Sequence, residues 1–156
     1  MRILAIDPGP SCGYAHSAGK SGVWQLASSS EEFRGMKYVR LFEHLTEMER
    51  THGIDLLIWE DATFGAKNQF NALRAHNEFA GVLLLFAGHH QLKVDTVHPT
   101  SLKKFATGNG RATKGDMIRA ASERFLVDIR SDDHADALCV LWWCLHDKNL
   151  IERIEA

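Results

Sequence analysis

Two short apolar runs constrain this chain more than anything else in it. Ile3 to Ile6 is continuously apolar and stops at Asp7-Pro8-Gly9, and Ile54 to Glu60 (IDLLIWE) is a second run of strand length. Such runs read as strands buried on both faces, and Pro and Gly directly after the first mark a turn. Between them, Ser30 to about His52 carries helical periodicity through Phe33, Met36, Val39, Leu41, Leu45 and Met48. A helix between two buried strands implies a parallel pair joined by a right-handed crossover. The chain is therefore expected to be an α/β domain. Open sheets of this class place their sites where parallel strands end, and here those ends carry Asp7 and Glu60.

The remaining elements fit around that pair. Residues near Gly13 to Ala18 and Gly22 to Ala27 read as two further strands joined by a Gly-containing turn, an antiparallel meander. A second long helix spans about Lys67 to His89, and Gln91 to Val97 supplies a last strand. Pro99 starts a short helix through Phe105, Thr107 to Ala112 (TGNGRA) reads as a flexible loop, and Lys114 to Phe125 is helical. With 156 residues, 45% of them hydrophobic, and no repeat or compositional break, one domain over residues 1–156 is expected. The apolar face of the second helix, with Phe79, Val82, Leu83 and Phe86, is either sheet-facing core or a surface for a second copy. Trp142 and Trp143 read as core or dimer packing.

Composition removes several classes. No apolar run approaches bilayer length, and the start, MRILAID, is too short for a signal-peptide core, so a soluble cytoplasmic protein is expected. The three cysteines, Cys12, Cys139 and Cys144, are odd in number and lack metal-ligand spacing, which suits reduced, buried thiols.

Charge then points to chemistry. The last helix opens within SDDHADALCVLWW, residues 131–143. Ser131 can cap it, and Asp132 and Asp133 suit its positive dipole end. Capping leaves Asp136 unexplained, because it lies three residues from Asp133 on the same face of a helix that buries its apolar side. Asp7, Glu60, Asp133 and Asp136 can converge if this helix mouth packs against the strand ends. Carboxylates gathered without basic partners repel, and the usual remedy is a hard divalent cation bound through oxygen. Two such ions about 3.5 to 4 Å apart stabilise the attacking and leaving oxygens of phosphodiester cleavage. Although the formal net charge is -2, Thr100 to Arg119 carries Lys103, Lys104, Arg111, Lys114 and Arg119 against Asp116 alone. A basic segment beside an acidic cluster suits an anionic polymer held over bound cations.

The order of these features resembles the RuvC-type Holliday-junction resolvases of the ribonuclease H superfamily, a phage-type member included. The resemblance rests on DPG after the first strand, Glu60 ending the fourth with FGAKN after it, K-x4-G-x-G-x-A-x-K over Lys103 to Lys114, and D-x-x-D at Asp133. It implies a ribonuclease H-like α/β fold whose mixed five-stranded sheet combines an antiparallel three-strand meander with two parallel strands, flanked by helices. It also implies a homodimer, dependence on Mg²⁺ or Mn²⁺ with one or two ions per subunit, and paired symmetric nicks across four-way DNA. By the same resemblance Asp7, Glu60, Asp133 and Asp136 are metal-binding and catalytic, with His134 beside Asp133 the alternative third ligand. Lys103 and Lys114 would hold phosphates near the cut, with Lys114 also catalytic. Lys104, Arg111 and Lys67 would contact DNA, and Phe64 would either stack on a base or pack in its loop. The competing readings are a related nuclease for other branched DNA or RNA-DNA hybrids, and a junction-binding module without cleavage. Ribonuclease H itself carries its glutamate on a helix, whereas Glu60 ends a strand. Actin-like and sugar-kinase ATPases also place an aspartate-glycine turn after strand one, but they need a duplicated domain.

Overall fold

Every residue of the first apolar run is buried, and successive residues go to opposite sides of one sheet. The computed structural model describes residues 1–27, 29, 33–61, 70–129 and 131–150. In chain order the elements are β1 (Ile3–Asp7), β2 (Ser11–His16), β3 (Lys20–Gln25), α1 (Met36–His52), β4 (Leu56–Glu60), α2 (Phe70–His90), β5 (Lys93–Val97), α3 (Pro99–Thr107), α4 (Lys114–Phe125) and α5 (Asp132–Asp147). The five-stranded sheet has the order β3-β2-β1-β4-β5. The β1–β2 and β2–β3 pairs are antiparallel, while β4 runs parallel to both β1 and β5. This is the expected mixed sheet, with the meander on one side and the parallel pair on the other.

Helices cover both faces, which explains why β1 and β4 are apolar without alternation. Ile3 and Ala5 of β1 and Leu56 and Ile58 of β4 pack on the side of α3, α4 and α5. Leu4, Ile6, Leu57 and Trp59 pack on the other side, with α1 and α2. Small residues dominate where α5 crosses the sheet, with Ala5 and Ala15 paired beneath Ala135 and Ala137. A helix can approach a sheet closely only where neither surface carries bulk.

Three expectations are corrected and one open alternative is decided. The meander strands sit about two residues earlier than read, because residues 17–19 form the turn between them. Helix α1 starts at Met36, after Gly35, so Phe33 is off its apolar face and 88% exposed. Of the two readings left open for the apolar face of α2, core is the one found: Phe79, Leu83 and Phe86 are fully buried against α1 and the sheet, with Val82 packed beside them. Finally, the loop after α3 is tied by hydrogen bonds. Gly108 ends α3 in the left-handed conformation at φ 80°, which favours glycine. Thr107 Oγ1 accepts from the Asn109 backbone N–H at 3.1 Å, and Asn109 Oδ1 accepts from the Arg111 N–H at 3.0 Å. Ala112 is buried in the core, and Thr113 starts α4 with a reciprocal capping box to Asp116. The K-x4-G-x-G-x-A-x-K pattern thus anchors a turn between two lysines, Lys103 half-buried and Lys114 exposed.

Candidate active site

The acids meet because strand register and helix docking use the same sheet face. Asp7 and Glu60 follow Ile6 and Trp59, the last pair in the ladder between β1 and β4, so both lie at the same edge. By alternation they share the face of Ala5 and Ile58, on which α5 lies. Asp7 is also paired across the sheet with Gly13 of β2. Gly13 stands beneath the first turn of α5, where a Cβ would reach within 3.2 Å of the Ala137 side chain and collide with the Asp133 carbonyl. This glycine lets the helix mouth descend onto the strand end. It carries no chemistry of its own, and the sequence reading missed it, although a glycine inside a strand is a signal of close backbone approach.

The electrostatics record the convergence. Burial pushes the Asp7 carboxyl well above the ordinary aspartate range, and the charges of Asp136, Asp133, Glu60 and Asp132 push in the same direction. Burial and then Asp136 raise Glu60 to about 7, with Lys103 opposing. Burial and then Asp132 raise Asp136 to about 6, against Lys103 and Lys114. Asp7 and Glu60 therefore both lie in the field of Asp136, Asp136 in that of Asp132 and Asp133, and Lys103 and Lys114 act against it.

Two side chains of the helix mouth behave differently from expectation. Ser131 occupies the N-cap position but caps nothing, and its hydroxyl donates to Asp133 Oδ2 at 3.4 Å. Asp132 is not without a basic partner: the Lys114 ammonium donates to it and, with backbone N–H groups of the helix start, holds its carboxyl below the usual range. His134 is engaged with Ser21 of β3, its Nε2 lying 2.9 Å from the Ser21 hydroxyl oxygen.

Among the described residues no three His, Cys, Asp or Glu side chains already close on one point as a metal cage does. The donor set nonetheless suits a hard cation. All of its atoms are carboxylate oxygens, their shared charge is unfavourable when desolvated, and a divalent ion bound through oxygen relieves it.

A family model described as "Crossover junction endodeoxyribonuclease RuvC" matches residues 3–142. The chain belongs to the RuvC family. That is a family of metal-dependent nucleases with a ribonuclease H-like fold. RuvC of Caldicellulosiruptor saccharolyticus is 29% identical, the match covering 90% of this chain and 89% of that protein. RuvC of Dictyoglomus thermophilum is 32% identical over 90% of this chain and 93% of its own. Among solved structures, "T. thermophilus RuvC in complex with Holliday junction substrate" superposes with a TM-score of 0.72 at 17% identity, covering 96% of this chain and 98% of that one.

The basic segment and the resemblance point to further residues, and their placement differs. Lys103 is half-buried on α3 and close enough for its charge to act on Glu60 and Asp136. Lys114 begins α4 and faces the mouth of α5. Lys104 and Arg111 are both exposed. Phe64 and Lys67 lie outside the described residues. Cys12, Cys139 and Cys144 are free and buried, as expected.

Proposed function

We propose that this chain cuts four-way DNA junctions by metal-dependent phosphodiester hydrolysis, one strand per subunit of a homodimer. The observation that supports this most directly is that Asp7 and Glu60 end neighbouring parallel strands on the sheet face where the mouth of α5 brings Asp133 and Asp136, the buried carboxyls of Asp7, Glu60 and Asp136 all being raised. Asp7, Glu60, Asp133 and Asp136 would hold one or two Mg²⁺ or Mn²⁺ ions, and His134 is turned to Ser21 instead. When bound, the cation neutralises charge on the scissile phosphate and lowers the pKa of a water that attacks it. The chain's own residues do the rest. Asp7 and Glu60 are fixed by the sheet, so the two ligands cannot drift apart. Lys103 and Lys114 flank the acids and would hold the phosphates on either side of the cut, with Lys114 also placed to offset charge that builds up during hydrolysis. Arg111 and Lys104 add sequence-independent attraction, and Phe64 and Lys67 are further contacts for the branched strand.

Paired cutting needs two copies. The dimer surface we favour is the outward side of α2, where Leu84 is 52% and Leu85 66% exposed while Phe79, Leu83 and Phe86 on the opposite side fill the core. A twofold contact there would give two identical sites at a fixed spacing. Among the described residues no helix is long and apolar enough to cross a membrane. A DNA substrate would place the protein in the cytoplasm of a bacterial or phage-infected cell.

The test is cleavage of a synthetic four-way junction beside a matched duplex and an RNA-DNA hybrid, with Mg²⁺ and with chelator. Symmetric nicks in the junction alone, dependent on the ion, are expected. Preferential cutting of the hybrid would move the assignment to a ribonuclease H-like activity, and tight binding without any nick would leave a junction-binding module.

A further inference from the structure

Lys114 is the first residue of α4, and Asp132 is the first residue of α5. The two are 18 residues apart in sequence, and the Lys114 ammonium donates to Asp132 Oδ2. A cation in the first turn of a helix faces the positive end of the helix dipole, so Lys114 stands where an anion is favoured. Asp132 is that anion in the free protein. Its side chain is the less exposed of the pair, at 32% against 80% for Lys114, so the carboxylate is fixed by the helix mouth while the ammonium is open to solvent. A phosphate oxygen arriving from solvent can therefore replace the carboxylate without any movement of the fold. Asp132 also adds negative charge beside the buried acids, acting on both Asp7 and Asp136. It is not needed to complete the acid set, which Asp7, Glu60, Asp133 and Asp136 already provide.

We infer that Asp132 is a positioning residue that holds Lys114 at the mouth of the acidic site in the free protein and yields it to a substrate phosphate, so that carboxylate and phosphate compete for one ammonium. This rests on the reading above that Lys114 contacts DNA phosphate. The consequence is a site whose lysine is neutralised until DNA is present. An anion too weak to displace an intramolecular carboxylate leaves the pair closed, and a DNA phosphate backed by the other basic residues opens it.

The experiment is equilibrium binding of a synthetic four-way DNA junction in chelator, where no strand is cut, for the unaltered protein, Asp132→Asn, Asp132→Glu, Lys114→Gln and the Asp132→Asn/Lys114→Gln pair. Asp132→Asn should tighten binding more in the presence of Lys114 than in the Lys114→Gln background. The lysine-dependent part should be roughly two- to fivefold, the range of an exposed ion pair. Asp132→Glu, which keeps the carboxylate, should bind like the unaltered protein, a restoration that general disturbance of the helix start would not give. Asp132→Ser repeats the comparison should the asparagine variant fail to fold. Equal tightening in both backgrounds would mean simple repulsion of DNA by Asp132 and would overturn the competition. Weaker or unchanged binding by Asp132→Asn, with Lys114→Gln itself weakened, would overturn this inference alone. If Lys114→Gln binds as the unaltered protein does, the phosphate-contact reading fails and the competition fails with it.

Discussion

A Cβ added to Gly13 would lie 1.8 Å from the carbonyl oxygen of Asp133. The obstruction is backbone, so no rotamer change can relieve it. Gly13→Ala must therefore lift the first turn of α5 from β2 or bend β2 away, separating Asp133 and Asp136 from Asp7. Misplacement of a reacting group by about 1 Å can cost about 10²-fold in rate, and overpacking of this kind costs roughly 1–3 kcal/mol of stability. Junction cleavage should fall by at least that factor even at temperatures where circular dichroism shows the variant fully folded. Wild-type cleavage by a folded Gly13→Ala protein would show that the helix mouth does not need this contact.

Asp7→Asn and Asp136→Asn should each reduce cleavage by roughly 10²–10³-fold or more, the scale of losing one charge-stabilising group from an active site. Junction binding in chelator should survive, because removing negative charge does not weaken contact with phosphate. Gel-shift and nicking assays on the same preparations separate the two effects. A variant that still cuts at the original rate removes its residue from the site.

The raised carboxyls predict a pH-dependent stability difference. Glu60 at about 7 and Asp136 at about 6 keep protons in the native state that the unfolded chain releases near the ordinary carboxylate values. Between roughly pH 4 and 7 the native state thus binds more protons, and their contribution to stability is lost as pH rises through the folded values. Asp136→Asn removes that loss. In chelator it should be more stable than the original protein at pH 8 by roughly 1–3 kcal/mol, from a shift of about two units discounted for coupling between the acids. The gap should narrow at pH 5 and close only as pH falls to about 4, and excess Mg²⁺ should narrow or reverse it at pH 8 by stabilising only the intact acid set. Thermal melts of both proteins at the two pH values decide it; a gap that does not widen with pH contradicts the assignment.

Lys103→Ala should weaken junction binding and lower the slope of log affinity against log salt by roughly one unit, as expected for one lost phosphate contact. It should also shift the rising limb of the pH–rate profile to higher pH, since Lys103 opposes the upward shifts of Glu60 and Asp136. A salt series and a pH series on one variant test both parts. An unchanged salt slope would place Lys103 away from DNA.

Charge on the outward face of α2 should separate assembly from chemistry. Leu85→Asp alters a residue that is 66% exposed, so the fold should hold while a dimer built on that face comes apart. Sedimentation at micromolar concentration should then give a monomer, and nicks in a junction should lose their pairing. If Leu85→Asp remains dimeric, the second copy docks elsewhere.

The sequence shows some of these features plainly and hides others for physical reasons. Buried strands of a covered sheet are apolar on every residue, so β1 and β4 and the acids that end them are visible without a structure. The capping box at Thr113 and Asp116 and the proline at the start of α3 likewise mark helix ends locally. Helix α2 is harder, because Val82 to Phe86 is apolar on all sides and no stripe separates Leu83 in the core from Leu84 and Leu85 at the surface. The pairing of Lys114 with Asp132 depends on how α4 and α5 start beside each other, which neither segment encodes alone. Gly13 is visible as a glycine in a strand, but what it makes room for is known only once α5 is in place.

Helix α5 carries acids in its first turns and then Ala137, Leu138, Cys139, Val140, Leu141, Cys144 and Leu145 into the protein interior. Asp133 and Asp136, two of the residues that would do the chemistry, are therefore the leading end of a helix whose body is core. Loosening the body of α5 exposes the apolar surface that stabilises the whole sheet face, so that part of the helix opens only when the core does. Heat should abolish cleavage and compact structure in a single transition, with amide hydrogens in the middle of α5 exchanging only as fast as the entire protein unfolds.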